Sequence, residues 1–142
     1  MYGEAVFRGK NNLDIEAKSK FVTVRANVGV FNHKYYYEVK LLTAGLMQIG
    51  FCTLQTPFSA SRGVGDDKTS FAYDGFRVKK WNHDEIGYGE AWGVGDIIGV
   101  MIDFKQKFIQ YWRNKKSLGR AFINIPVGPN QVYFPALSMQ RG

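Results

Sequence analysis

At 142 residues the chain has the length of one ordinary domain with room for a real core, and too little for two independent ones. Hydrophobic residues at 45% and aromatics at 15% exclude a disordered chain, and sixteen Gly against four Pro exclude collagen-like or Pro-rich character. The net charge of +7, from 19 Lys and Arg against 12 Asp and Glu, raises nucleic acid or an acidic partner, and where the charges sit matters more than their sum.

Met1 to Lys10 carries Glu4, Arg8 and Lys10 and no apolar h-region, so no secretory signal is visible. Residues 1–12 read as an irregular segment, either an extra edge strand over Ala5 to Arg8 or a mobile tail, and 13–142 as the domain proper. Asn11 to Ala17 fits one helical turn or a strand at 13–17 equally well. Phe21 to Ala26 then places Val22, Val24 and Ala26 on one face. Tyr35, Tyr37, Val39 and Leu41 share a face opposite Tyr36, Glu38 and Lys40. Met47, Ile49 and Phe51 alternate with Gln48, Gly50 and Cys52, and Phe108, Gln110 and Trp112 alternate with Ile109, Tyr111 and Arg113. Period two with β-branched and aromatic residues predicts half-buried strands.

Turn signals at Ala44-Gly45, Gly63 to Asp67, Asp74-Gly75, Gly93 to Asp96 and Gly128 to Asn130 are spaced as in an all-β sandwich. Apolar stretches such as Ile97 to Ile102 fall far below the roughly 20 residues that cross a bilayer. No internal repeat or low-complexity linker divides the chain.

Chemistry is sparse. His33 and His83 sit in polar or turn-forming surroundings and read as solvated loop residues. Cys52 is the only cysteine, which excludes an intramolecular disulfide, fits a reducing compartment and, with two His, leaves no zinc pattern. Its strand position reads as a small buried residue. Gly63-Val64-Gly65-Asp66-Asp67 lacks the Lys-Ser/Thr of a phosphate loop and reads as a tight turn capped by its own aspartates. Asp96 and Asp103, seven residues apart in an alternating strand, face opposite sides and form no carboxylate pair. No catalytic residue, metal or cofactor is expected.

The basic residues fall into Arg77, Lys79 and Lys80, and into Lys105, Lys107, Arg113, Lys115, Lys116 and Arg120. Trp81, Tyr111 and Trp112 lie among them, a mixture that can bind single strands. The second group surrounds a hairpin with its tip at Asn114 to Ser117, where lysines commonly serve solubility. Nucleic acid is kept as a secondary reading.

In order along the chain stand Tyr35-Tyr36-Tyr37-Glu38-Val39, Gly45 to Cys52, Gly63 to Asp67, Ser70 to Gly75, Trp81, Tyr88-Gly89, Trp92, Gly95 to Phe104, Gly119 to Phe122 and Tyr133 to Ser138. Over roughly residues 20 to 139 this series resembles the SPRY domain. It is most similar to the SPRY domains of RING-type ubiquitin ligases of the Kip-ubiquitylation-promoting kind, and ryanodine-receptor SPRY domains share part of it. In the resemblance, Tyr73, Asp74, Gly75, Trp81, Trp92, Asp96 and Asp103 are structural motif residues. Asp74 is a candidate partner for a buried Tyr or Trp polar atom. Two features depart from the family. Asn114-Lys115-Lys116 stands where the family has Asn-Gly, which leaves a two-residue type I′ turn open. The family's closing strand does not follow Gln140-Arg141-Gly142, so the sandwich is expected to show one exposed edge unless the N-terminal segment or a neighbouring chain pairs there.

The resemblance implies a two-sheet antiparallel β-sandwich that is not an enzyme but an intracellular, cytoplasmic or nuclear, protein-interaction module within a larger protein. It implies a peptide surface built from three places: Arg25 to Val28, with Arg25 and Asn27; Gln55 to Arg62, with Gln55, Thr56, Phe58 and Arg62; and Met139, Gln140 and Arg141. Phe58 suits an anchor and Met139 an adaptable apolar contact, unless each turns into the core. Arg25, Arg62 and Arg141 suit an acidic peptide. Three functions remain open: substrate or partner recognition for a ubiquitin ligase, a structural SPRY domain packed within its own parent, and a basic nucleic-acid-binding module.

Overall fold

The protein, seen in a computed structural model that describes residues 1–141, is built almost wholly of strands. In chain order these are β1 (Ala5–Arg8), β2 (Asp14–Ala17), β3 (Phe21–Arg25), β4 (Lys34–Lys40), β5 (Met47–Cys52), β6 (Phe71–Asp74) and β7 (Lys79–Asn82). There follow β8 (Asp84–Gly87), β9 (Ile97–Asp103), β10 (Phe108–Arg113), β11 (Lys116–Ile123) and β12 (Phe134–Gln140). A large sheet has the order β3-β12-β5-β6-β7-β8, a small sheet the order β11-β10-β9-β4, and β1 and β2 form a separate hairpin. Every pairing is antiparallel. This is the expected all-β sandwich.

In the N-terminal segment the strand readings hold, over Ala5–Arg8 and over Asp14–Ala17, and no α-helical turn forms over 11–17, because Asn11 (φ 61°) and Asn12 (φ 55°) are left-handed. Lys10–Asn12 makes a single 3-10 turn, and Asp14–Ala17 is a strand paired to Ala5–Arg8. Tyr2 exchanges two backbone hydrogen bonds with Thr23, at 2.9 and 3.0 Å, and so caps part of the outer edge of β3. On the small sheet β4 has a neighbour on one side only, among the described residues.

The alternating runs place Val22, Ile49, Phe51, Tyr73 and Met139 of the large sheet against Ile98, Val100, Ile102, Ile109 and Tyr111 of the small one. Each such side chain, fully buried, contributes about 1.5–3 kcal/mol. The phenols in this layer bond across it. Tyr111 donates to the Ile49 carbonyl at 2.8 Å, and Tyr37 to the Gly50 carbonyl. Burial holds both phenols far above the ordinary tyrosine range, so both stay protonated donors. Gly50 is what lets the strands close: a Cβ there would lie 1.8 Å from the Phe71 carbonyl oxygen and 2.8 Å from the Tyr111 hydroxyl.

β5 departs from the half-buried expectation, since all six of its residues are buried. The reason is nonlocal. The segment 53–70 folds back across the outer face, where Val64 and Phe58 cover Cys52, Ala72 and Ala136. Val64 N–H donates to Ser138 Oγ at 2.9 Å, and that hydroxyl meets Thr23 Oγ1 at 2.7 Å. The Gly63–Asp67 turn is capped by its own aspartates, Asp66 accepting from Gly63 N–H at 2.7 Å and Asp67 from Thr69 N–H at 2.8 Å.

The hairpins explain other residues. Asp74 caps the β6–β7 turn through Phe76 and Arg77 N–H, and Asp103 caps the β9–β10 turn through Lys105 and Gln106 N–H. Each turn closes on a left-handed residue, Val78 at φ 57° and Lys107 at φ 59°. Between β10 and β11, Asn114 (φ 49°) and Lys115 (φ 69°) are both left-handed, as a type I′ turn requires, so Asn-Lys takes the conformation that Asn-Gly favours.

Candidate protein-interaction site

The expected site residues divide between the two ends of the large sheet. Strand β12 separates them by about 20 Å, at roughly 3.3 Å for each of its seven residues.

At the end where β12 begins, Arg25 pairs with Ala136 and lays its guanidinium 5.2 Å from the Phe134 ring centroid. Asn27 is exposed beyond it. Gln55 lines a cleft of about 270 Å³ with Thr53, Lys68, Thr69, Gln131 and Tyr133. Thr56 faces inward instead. It is 7% exposed, and its Oγ1 accepts from Thr53 N–H at 3.0 Å and meets Thr69 Oγ1 at 2.9 Å. It shapes the loop and presents nothing to a partner, which corrects its expected contact role.

At the end where β12 finishes, Arg141 N–H donates to the Lys20 carbonyl at 3.3 Å and Gln140 N–H to the Leu46 carbonyl at 3.1 Å. Arg62 precedes Gly63, whose Cα closes so tightly on Phe21 that a Cβ would lie 2.6 Å from Phe21 Cζ. Lys20, Arg62, Gln140 and Arg141, all exposed, therefore share one corner. Lys20 was absent from the expected set. It sits one residue before β3, and only the pairing of Gln140 with Phe21 brings it to Arg141.

Two apolar candidates lie differently. Phe58 is half-buried on Cys52, Val64, Ala72 and Ala136, between the two ends. Met139 is 5% exposed in the main core, across from Val22 and Met47. The expectation that Met139 contacts a partner is corrected by the alternation of β12, which turns Leu137 and Met139 inward and Ser138 outward.

Electrostatically the corner is basic. Among the described residues Lys20, Arg25, Arg62 and Arg141 meet no carboxylate. The acids closest in sequence to the corner are engaged elsewhere, Asp66 by Gly63 N–H and by Gln48 Nε2 at 3.0 Å, and Glu16 by Arg8 and Lys18, while Glu4, held to Ser19 through backbone hydrogen bonds, makes no ion pair among the described residues. The cations beside the β10–β11 turn are neutralised instead: Arg113 bonds Glu90 at 3.1 Å and Asp96 at 2.8 Å, and Lys116 bonds Glu90 at 2.9 Å. Asn114 first, then Arg113 and the Gly93 N–H, hold the Asp96 carboxyl down at about 2.

The motif residues serve the fold. Tyr73 donates to the Glu90 carbonyl, and its ring meets Trp92 edge-on at 5.0 Å. Trp92 covers Gly75, leaving 2.4 Å for a Cβ. Asp74 does not serve Tyr73 or Trp81. Its carboxylate binds Arg77, while Trp81 Nε1 has no partner and the Arg77 guanidinium lies 4.5 Å over the Trp81 ring. Burial pushes the Cys52 thiol up to about 12, so it is a protonated, covered group. His33 and His83 are exposed loop residues. No His, Cys, Asp or Glu cluster among the described residues has the form of a metal site, and no described helix is long and apolar enough to cross a membrane.

A rigid antiparallel sandwich that holds uncompensated cations and part-exposed aromatics on its loops is built as a protein-interaction module. The family model for the SPRY domain matches residues 34–142, and the chain belongs to the SPRY-domain family. It is 43% identical over 134 residues to the E3 ubiquitin-protein ligase RKP of Arabidopsis thaliana, covering 94% of this chain and 10% of that protein. It is 32% identical over 124 residues to the probable ATP-dependent RNA helicase ddx1 of Dictyostelium discoideum, covering 87% and 15%. It is 36% identical over 117 residues to the ATP-dependent RNA helicase DDX1 of Xenopus laevis, covering 82% and 15%. The chain thus spans 10–15% of the length of these relatives.

Proposed function

We propose that the chain is the partner-recognition module of a larger intracellular protein, and that the corner of Lys20, Arg62, Gln140 and Arg141 reads an acidic protein segment. The observation that carries this reading is the convergence of three chain segments that carry exposed cations, none of them ion-paired among the described residues. Arginine forks bind carboxylates in two parallel bonds and are weakly hydrated, so such a corner discriminates for acidic side chains. Phe21, half-buried, supplies an apolar floor beside it. Likeness to the E3 ubiquitin-protein ligase RKP supports substrate selection for ubiquitin transfer as the setting.

The alternative setting is packing within the parent protein. It is favoured by the RNA helicase relatives, in which a domain like this one is 15% of a longer chain. Affinity capture from nuclease-treated lysate separates the readings, using wild type, Arg62→Ala/Arg141→Ala and Arg25→Ala/Gln55→Ala. The proposal expects partners lost by the first variant and kept by the second. Loss by the second alone would move the site to the opposite end, and capture only of the adjoining parts of the parent would favour internal packing.

A further inference from the structure

The net charge is not spread along the chain. Residues 1–103 contain twelve Lys or Arg and all twelve acids, whereas residues 104–142 contain seven Lys or Arg and no acid. The fold carries this stretch into β10, β11 and the loops around them, and so mainly into the small sheet. At one end of these strands Arg113 and Lys116 find Glu90 and Asp96. At the other end Lys105, Lys107 and Arg120 meet no carboxylate among the described residues. Lys105 and Lys107 occupy the β9–β10 turn. Arg120 rests on the same turn, donating to Gln106 Oε1 at 2.9 Å with its guanidinium 3.9 Å from the Phe108 ring centroid. Lys34 stands beside them, but its Nζ is 3.8 Å from buried Asp103, which offsets its charge. Three uncompensated cations remain.

An open cleft runs alongside this turn, with walls of Phe31, Phe104, Val127 and Pro129 and with Lys34 and Lys105 on its rim. Phe31 is 59% exposed although a buried phenyl would contribute roughly 2 kcal/mol, which marks an unfilled apolar contact. The cleft lies at the Arg25 end of the sandwich, since Val30 bridges Tyr133 and Phe104 N–H bonds the His33 carbonyl. It is therefore remote from the Arg62–Arg141 corner.

We propose that this cleft and turn form a second interaction surface, taking an acidic protein segment with one apolar anchor. The anchor lies against Phe31 and Val127, and its flanking carboxylates meet Lys105, Lys107 and Arg120. Charge complementarity selects the acidic character, and the Phe, Val and Pro walls select the apolar one. A single-stranded nucleic acid fits less well, because it needs several free aromatic faces along a groove. Here Arg120 covers Phe108, and Phe104 is 7% exposed.

The test is an NMR titration of the isotope-labelled chain at about 150 mM salt, where surface attraction is screened beyond about 8 Å. The probes are a peptide of Glu and Leu, a peptide of Glu and Ser, and a short oligouridine. The proposal expects the Glu-Leu peptide to bind best and to shift amides of residues 31–34, 104–107 and 127–129. Its dissociation constant should rise about tenfold in Phe31→Ser and in Lys105→Glu/Lys107→Glu, and stay unchanged in Arg62→Glu/Arg141→Glu. Read at the amides of residues 31–34, 104–107 and 127–129, equal binding of the Glu-Ser peptide, tighter binding of oligouridine or no binding would each overturn it, as would shifts confined to residues 62 and 141.

Discussion

The layer between the sheets at β5 and the corner at Lys20, Arg62 and Arg141 follow opposite rules. In the inner layer the phenols of Tyr37 and Tyr111 each find a backbone carbonyl, and Gly50 leaves no room for a methyl group. At the corner three cations have no ion-pair partner among the described residues, and their segments are tied into the fold through backbone groups. A solvated cation adds little to stability, whereas a buried phenol that loses its acceptor, or a methyl forced against a carbonyl, costs a large part of it. Residues that hold the sandwich together and residues available to a partner are therefore different residues, and the two properties can be changed separately.

The sharpest way to stress that contrast is Gly50→Ala. The clash at 1.8 Å is with backbone, which cannot swing aside, so a loss of more than about 3 kcal/mol or failure to fold is expected in urea denaturation. Gly99→Ala is the matched control: its Cβ would meet the far end of Tyr36, at 2.2 Å from the hydroxyl, and that half-exposed ring can rotate away. It should lose much less. Equal losses would break the account of the inner layer.

Next is Tyr111→Phe, which leaves the Ile49 carbonyl without its phenol and should lower stability by about 1–2 kcal/mol with the fold intact. A smaller effect comes from acid. The Asp96 carboxyl is depressed from 3.8 to about 2, so its stabilisation is complete above the unfolded value and is lost as pH falls from about 4 through about 2. The urea midpoint should fall less between pH 5 and pH 2 in Asp96→Asn than in wild type. The same acid slope in both proteins would show that Asp96 is not held by Asn114 and Arg113. Smallest for stability is Arg62→Ala/Arg141→Ala, expected within about 0.5 kcal/mol of wild type while partner binding is lost.

Strand runs such as 35–41 and 108–113 were legible because each alternates on its own. Met139 was ambiguous for the same reason: alternation puts it with Leu137, and only the burial of both faces of the neighbouring β5 shows how little surface is left there. The covering of β5 by the segment 53–70 depends on contacts such as Val64 to Ser138, 74 residues apart, which no local pattern reports. Likewise Arg62 and Arg141 were readable as exposed cations, but their union with Lys20 and their separation from Arg25 follow from the direction of β12. Asp74 does not serve the buried Tyr or Trp for which it was a candidate, because Arg77, three residues on, is a charged partner within its own turn.

The most direct test of the division between fold and recognition is photocrosslinking in the full-length parent protein, with a benzophenone side chain placed at position 62 in one variant and at position 27 in another. The account predicts a partner crosslink from position 62 that disappears when Arg141→Ala is added, with unfolding unchanged. Crosslinks arising only from position 27, or persisting from 62 without Arg141, would contradict it.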